Sequence, residues 1–91
     1  MMGTPEGSRV GAIRSEEAGT VNFFGYGVYV GRKPCPHLDG IHNPKIELDD
    51  GGVVWGCESW WGPEEQIRER IEGLTIVKVS PSAVNTEVAK P

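Results

Sequence analysis

The chain has 91 residues, 9 Lys and Arg against 13 Asp and Glu, and a net charge of −4. That length holds one domain at most. The acidic balance excludes a protein held to extended nucleic acid by a basic surface, and it excludes a polybasic membrane anchor. No apolar run approaches the roughly 18 residues of a transmembrane helix, and MMGTPEGSRVGAIRSEE lacks the apolar core of a signal peptide. The expectation is therefore a cytoplasmic chain. Glycine is the unusual entry, 13 residues, about twice the usual ~7%. With no collagen-like period and no low-complexity tract, these glycines are expected to do local backbone work.

Residues 1–18 read as an N-terminal tail, with a short strand over 9–15 (RVGAIRS) resting on Val10, Ala12 and Ile13. Residues 19–79 read as one small β-rich domain, and 80–91, bracketed by Pro81 and Pro91, as a C-terminal tail. Within the domain, TVNFF (20–24) alternates with Val21 and Phe23 on one face. After Gly25, YGVYVG (26–31) resumes with Tyr26, Val28 and Val30 on one face and Tyr29 on the other. Aromatic and β-branched residues favour strand, and Gly25 and Gly27 inside the run suggest a bulge or bend. One long bent strand and a tight hairpin both fit. RKPCPHLDGIHNP (32–44), broken by three prolines and a glycine, reads as a long loop.

KIEL (45–48), the DDGG turn (49–52) and VVWGC (53–57) form a β-hairpin, with Ile46, Leu48, Val53, Trp55 and Cys57 at inward positions. Gly62 then caps a short helix that has Pro63 at its first position and Glu64 and Glu65 at the positive end of its dipole. Ile67 and Ile71 give that helix one apolar stripe, and Gly73 ends it. LTIVKV (74–79) is the final strand. The fold class is mainly β: a small, strongly bent antiparallel sheet or a partly open Src-homology-type barrel with one short helix. A sheet with the helix on one face is the alternative.

WGCESWWG (55–62) places three tryptophans within seven residues. Trp60 and Trp61 are adjacent, so on an extended backbone they face opposite ways. One can enter the core, and the other is then at least partly exposed. Packing is the commoner role for tryptophan, and the functional reading is an aromatic platform for a ligand, a partner or a second copy. Cys35, His37, His42 and Cys57 are the only Cys and His residues, but C-x-H-x4-H-x14-C is not a standard zinc spacing, and no metal or cofactor is expected. A Cys35–Cys57 disulfide is disfavoured in a reducing cytoplasm. Cys57 beside Glu58 carries no nucleophile signature. Asp49 and Asp50 lack the further oxygen ligands of a calcium loop, and GYGVYVG (25–31) does not match a dinucleotide fingerprint. No catalytic residue is expected, and the chain reads as a non-enzyme.

The run NPKIELDDGGVVWGCESWWGPEE (Asn43–Glu65), together with GYGVYVG (Gly25–Gly31), resembles small, mostly uncharacterised proteins encoded by bacteriophages and prophages. These pair a G-x-G-V-Y-x-G segment with NPKI-x-L-D-x-G…VWG…WWG. The resemblance spans about Gly19 to Glu72 and carries no activity or functional residue across. It implies a viral setting, in the cytoplasm of an infected or lysogenic bacterium. By analogy with such proteins, the expectation is stoichiometric, anti-defence binding of a host protein or sequestration of a small nucleotide-like ligand. Tyr26, Tyr29, Arg32, Lys33, His37, Asn43, Trp60 and Trp61 are the expected contacts, through stacking and a few charge-assisted bonds. The acidity does not exclude a small anion held by Arg32 and Lys33. A homo-oligomer suits a core this small. A structural or assembly accessory, with the tryptophans as packing contacts, and a small zinc-binding domain are the alternatives.

Overall fold

One strand, β2 (Thr20–Pro34), runs through the whole molecule and settles the choice between a hairpin and a bent strand. The computed structural model describes residues 4–81, apart from the side chain of His37. Along β2 the pairing with β1 (Arg9–Glu17) slips between Ala12 and Ile13, leaving Phe24 as an extra residue beside Gly25 at φ 129°. The pairing with β3 (His42–Leu48) slips again between Tyr29 and Arg32, beside Gly31 at φ 100°. Both are bulges that use a glycine to reach positive φ, and each bends the strand. Gly27 differs: it is unbulged, and its missing side chain lets β3 come close to β2.

β1 contains the short strand expected over 9–15 and extends it to Glu17, so residues 9–17 belong to the sheet rather than to a tail. It is nine residues long and pairs with β2 on one side and with β5 (Trp60–Pro63) on the other. Val10, Ala12 and Ile13 are all fully buried. Val10 and Ala12 face one side of the sheet and Ile13 the other, so the strand is covered on both faces and shows no polar alternation. The tail assignments for residues 1–3 and 82–91 lie outside the described residues.

The expected loop over 32–44 is shorter than the sequence suggests. β2 continues through Pro34, β3 begins at His42, and Arg32, Lys33 and Pro34 pair with Pro44, Asn43 and His42. Pro34 ends its strand, and Pro44 lies beyond the reach of β4 (Val53–Trp55), whose pairing stops at Lys45. Neither proline therefore interrupts a ladder shared by three strands. Only residues 35–41 remain as a connection, around a single 3-10 turn at Pro36–Leu38. The DDGG hairpin forms as expected, with Gly51 at φ 99° and the Gly52 N–H donating to the Asp50 carboxylate at 3.0 Å. The returning strand ends sooner than expected, at Trp55, and a 3-10 turn over Gly56–Glu58 takes Cys57 off the strand face.

The helix α1 (Glu64–Ile71) starts one residue later than expected, with Pro63 rather than Gly62 at the N-cap. Ile67 and Ile71 are buried against the sheet as the stripe requires. β6 (Thr75–Lys78) is the exception to an antiparallel sheet: Thr20 to Phe23 of β2 pair with it in parallel. The reason lies in α1. β5 runs parallel to β2 because β1 is antiparallel to both, so β5, α1 and β6 form a crossover between parallel strands. One edge of β2 is then shared, with β6 along 20–23 and β3 along 27–34, and the bulge at Phe24 lies between them.

The strand order is β4-β3-β2-β1-β5, with β6 on β2, and the sheet does not close into a barrel. Val10, Ala12, Phe24, Ile46, Leu48 and Val54 form the core of one face. Ile13, Val21 and Phe23 meet Ile67 and Ile71 of α1 on the other. Among the described residues no helix is long and apolar enough to cross a membrane.

Ion pairs link the rim of this sheet. The Arg9 guanidinium donates to both Asp49 oxygens at 2.7 Å and to Glu64 at 2.9 Å, and Lys78 reaches Asp50 at 2.8 Å. The hydrogen bonds from Arg9 hold the Asp49 carboxyl below the usual carboxylate range, and those from Lys78 and the Gly52 N–H do the same for Asp50. A depressed carboxyl contributes stability that is complete above its unfolded pKa and is lost as pH falls through the folded one. The melting temperature is expected to be flat from pH 7 to about 5 and to decline below about pH 4, where unfolded Asp begins to bind protons. The Asp49→Asn, Asp50→Asn double variant should show a shallower acid decline in the same thermal scans. These pairs are exposed, so the effect is small.

Candidate functional site

The crossover β5-α1 brings the aromatic run onto the sheet. β5 pairs with β1, Trp60 opposite Ile13 and Trp61 opposite Ala12. Alternation along β5 then separates the two tryptophans. Trp61 turns to the face of Val10 and Ala12, half-buried, and stacks on Tyr29 with ring centroids 5.0 Å apart and planes at 30°. Trp60 turns to the helix side and stays 54% exposed. Above its ring lies the Arg70 guanidinium, 3.8 Å from the centroid. Arg70 in turn meets the Glu16 carboxylate at 3.4 Å.

The other expected contacts lie elsewhere. Tyr26 is on the helix side, edge-on to Phe23 at 5.0 Å, with the Arg68 guanidinium 5.0 Å from its ring. It lines a cleft of about 400 Å³ with Arg68, Ile71, Leu74 and Ile76, between α1 and β6. Arg32, Lys33 and Asn43 sit together at the far end of the β2–β3 ladder, beyond the second bulge. There Arg32 is committed to the ladder by donating to the His42 carbonyl at 3.1 Å. His37 belongs to the 3-10 turn at 36–38, and its side chain lies outside the described residues.

The eight residues therefore do not form one constellation. Seven of them fall into a stacked pair on one face (Tyr29, Trp61), two cation-capped aromatics on the helix face (Tyr26, Trp60), and a polar strand end (Arg32, Lys33, Asn43); the eighth, His37, is in the 3-10 turn at 36–38. Sequence reasoning missed Arg68, Arg70 and Glu16 as members of the aromatic surface. The helical spacing that puts Arg68 and Arg70 in the last turn of α1 was legible, but the strand they cross was not.

The metal and nucleophile readings gain no geometry. Among the described residues no three His, Cys, Asp or Glu side chains gather where an ion could sit. Burial pushes the Cys57 thiol up, and the neighbouring Cys35 and Glu58 add to the shift. An activated cysteine needs the opposite shift. Glu58 is occupied in closing its own turn, accepting from the Trp55 N–H at 3.4 Å.

No protein-family model matches the chain, and neither the curated proteins nor the solved structures hold a match.

Proposed function

We propose that the chain is a non-enzymatic binding module of phage or prophage origin that engages a host protein stoichiometrically through a patch centred on Trp60. The exposed, pre-positioned indole carries this reading. Trp60 is more than half exposed, yet its backbone is fixed in β5 and its ring lies under Arg70. Trp and Arg are the side chains that most often dominate binding energy, and a fixed aromatic loses little conformational freedom on binding. The Glu16 carboxylate adds a polar rim. A nucleotide-sized ligand is less well served. The cations Arg32 and Lys33 are at a strand end, away from Trp60, and none of the three described clefts is lined by Trp60 or Trp61.

Trp60→Ala is expected to leave the melting temperature within a few degrees of wild type, as surface truncations do. It should weaken partner binding by about 30-fold, the loss typical of a hot-spot tryptophan. Affinity purification from the bacterial host, followed by native mass spectrometry of the eluate, reads both stoichiometry and loss. A heteromeric complex that survives Trp60→Ala unchanged sinks the reading. A wild-type protein that elutes only with copies of itself points instead to an assembly component.

A further inference from the structure

Cys35 and Cys57 are far apart in sequence and meet in the fold. Cys35 is fully buried at the end of β2, immediately before the 3-10 turn at 36–38. Cys57 is exposed in the middle of the 3-10 turn that follows β4. β3 joins these two places. It returns along β2 with His42 opposite Pro34, and at its start the Pro44 ring packs on the Gly56 backbone so closely that a Cβ there would stand 2.9 Å from Pro44 Cγ. This places the two thiols, one buried and one at the surface, next to each other across the start of β3. No disulfide joins them in the structure.

We propose that Cys35 and Cys57 form an intrachain disulfide when the folded protein meets a small disulfide oxidant such as oxidised glutathione. The placement assigns the order of events. Cys57, being exposed, is the thiol the oxidant reaches. Its thiolate attacks one oxidant sulfur, a new sulfur–sulfur bond forms, and one glutathione thiolate leaves. The Cys35 thiol, next to Cys57, attacks the Cys57 sulfur and passes its proton to the departing glutathione sulfur. The second glutathione leaves as the thiol, and the Cys35–Cys57 bond is complete. Two protein thiols are oxidised, one glutathione disulfide is reduced to two glutathione thiols, and the protons balance. Burial protects Cys35 from forming a lasting adduct of its own.

The bond would close the segment from 35 to 57, which holds β3, the DDGG turn and β4. Cross-linking a segment of about twenty residues removes freedom from the unfolded chain, chiefly benefiting the folded state where no strain is introduced. The turn over Gly56–Glu58 is otherwise held by two modest contacts, Trp55 N–H to Glu58 at 3.4 Å and the Ser59 hydroxyl to the Trp55 carbonyl at 3.1 Å. A reducing cytoplasm keeps such pairs as thiols until oxidant rises, so the expectation of two thiols and the proposed disulfide describe two redox conditions. The proposal does not depend on what Trp60 binds.

The test is incubation of the reduced full-length protein with oxidised glutathione under native conditions, acid quench, and intact mass. The expected product is a monomer that has lost two hydrogens, with a peptide map joining 35 to 57. Cys35→Ser should stop at a single glutathione adduct on Cys57. Cys57→Ser changes an exposed residue and should fold normally and resist oxidation. The oxidised wild type should melt roughly 10 °C or more above the reduced form. A stable adduct on the wild-type protein, disulfide-linked dimers, oxidation of Cys57→Ser as fast as wild type, or an oxidised form that melts no higher would each overturn the proposal.

Discussion

Gly27→Ala is expected to prevent this fold from forming. The backbone at Gly27 is not in the left-handed region, so strain in φ is not the reason. The reason is space. A Cβ at Gly27 would run into the Glu47 carbonyl oxygen and would stand 2.7 Å from Leu48 Cα and 2.9 Å from the Glu47 carbonyl carbon. All three are backbone atoms, which cannot rotate aside as a side chain can. β3 would have to lift off β2, taking with it Ile46 and Leu48, which are buried in the core on the face away from α1, and the β4 strand that carries Val54. Overpacking a core costs about 1–3 kcal/mol where side chains can adjust and more where they cannot. A domain this small has roughly 5 kcal/mol to lose. Far-ultraviolet circular dichroism and urea titration read the result. Gly62→Ala is the control, since the nearest atom to a Cβ there is Ile67 Cδ1 at 4.0 Å, and it should stay within about 1 kcal/mol of wild type. A Gly27→Ala protein as stable as that control would show that β3 is not seated so closely.

The glycine excess was thus legible as backbone work, but the work differs between positions in a way the sequence hides. Gly25 and Gly27 are two residues apart in one run, yet the first sits beside a bulge at positive φ and the second makes room for another strand. The DDGG hairpin, the Ile67/Ile71 stripe and the helix end at Gly73 could all be read from local chemistry, because each depends on residues within one turn or one hairpin. β1 could not. Its turn is Ala18-Gly19, at φ 51° and 82°, the type I′ geometry that Asn-Gly announces and Ala-Gly does not. β5 was hidden for a related reason: a four-residue strand, WWGP, reads as a loop until β1 is there to pair with it. The parallel pairing of β6 depends in turn on β5. For the candidate surface, alternation correctly separated Trp60 from Trp61. Which of them is exposed depended on the side of β1 that α1 covers, and that is tertiary information.

Ile67→Ala is expected to cost about 2–5 kcal/mol, the range for removing a buried aliphatic side chain down to Ala. Ile67 is 5% exposed and lies directly on β1, with its Cγ2 only 2.8 Å from where a Cβ of Gly11 would be. Nothing can fill the gap cheaply, since Gly11 has no side chain to move into it. The eight residues of α1 are too few to remain helical in water without docking. Its i,i+4 pair, Glu64 with Arg68, adds only a few tenths of a kcal/mol. Loss of docking would spread because α1 is the crossover between β5 and β6. β6 is exposed along its whole length and is tied to the sheet by four residues of parallel pairing. The Arg70 guanidinium would also leave the Trp60 ring. The variant should therefore show an earlier urea midpoint, early amide exchange in 75–78, and altered indole fluorescence before global unfolding. Ile76→Ala provides the contrast: at 50% exposure it should change stability by about 0.5 kcal/mol or less. Equal, small effects from Ile67→Ala and Ile76→Ala would mean that α1 does not hold β5 and β6 together, and the fixed orientation of Trp60 would lose its structural basis.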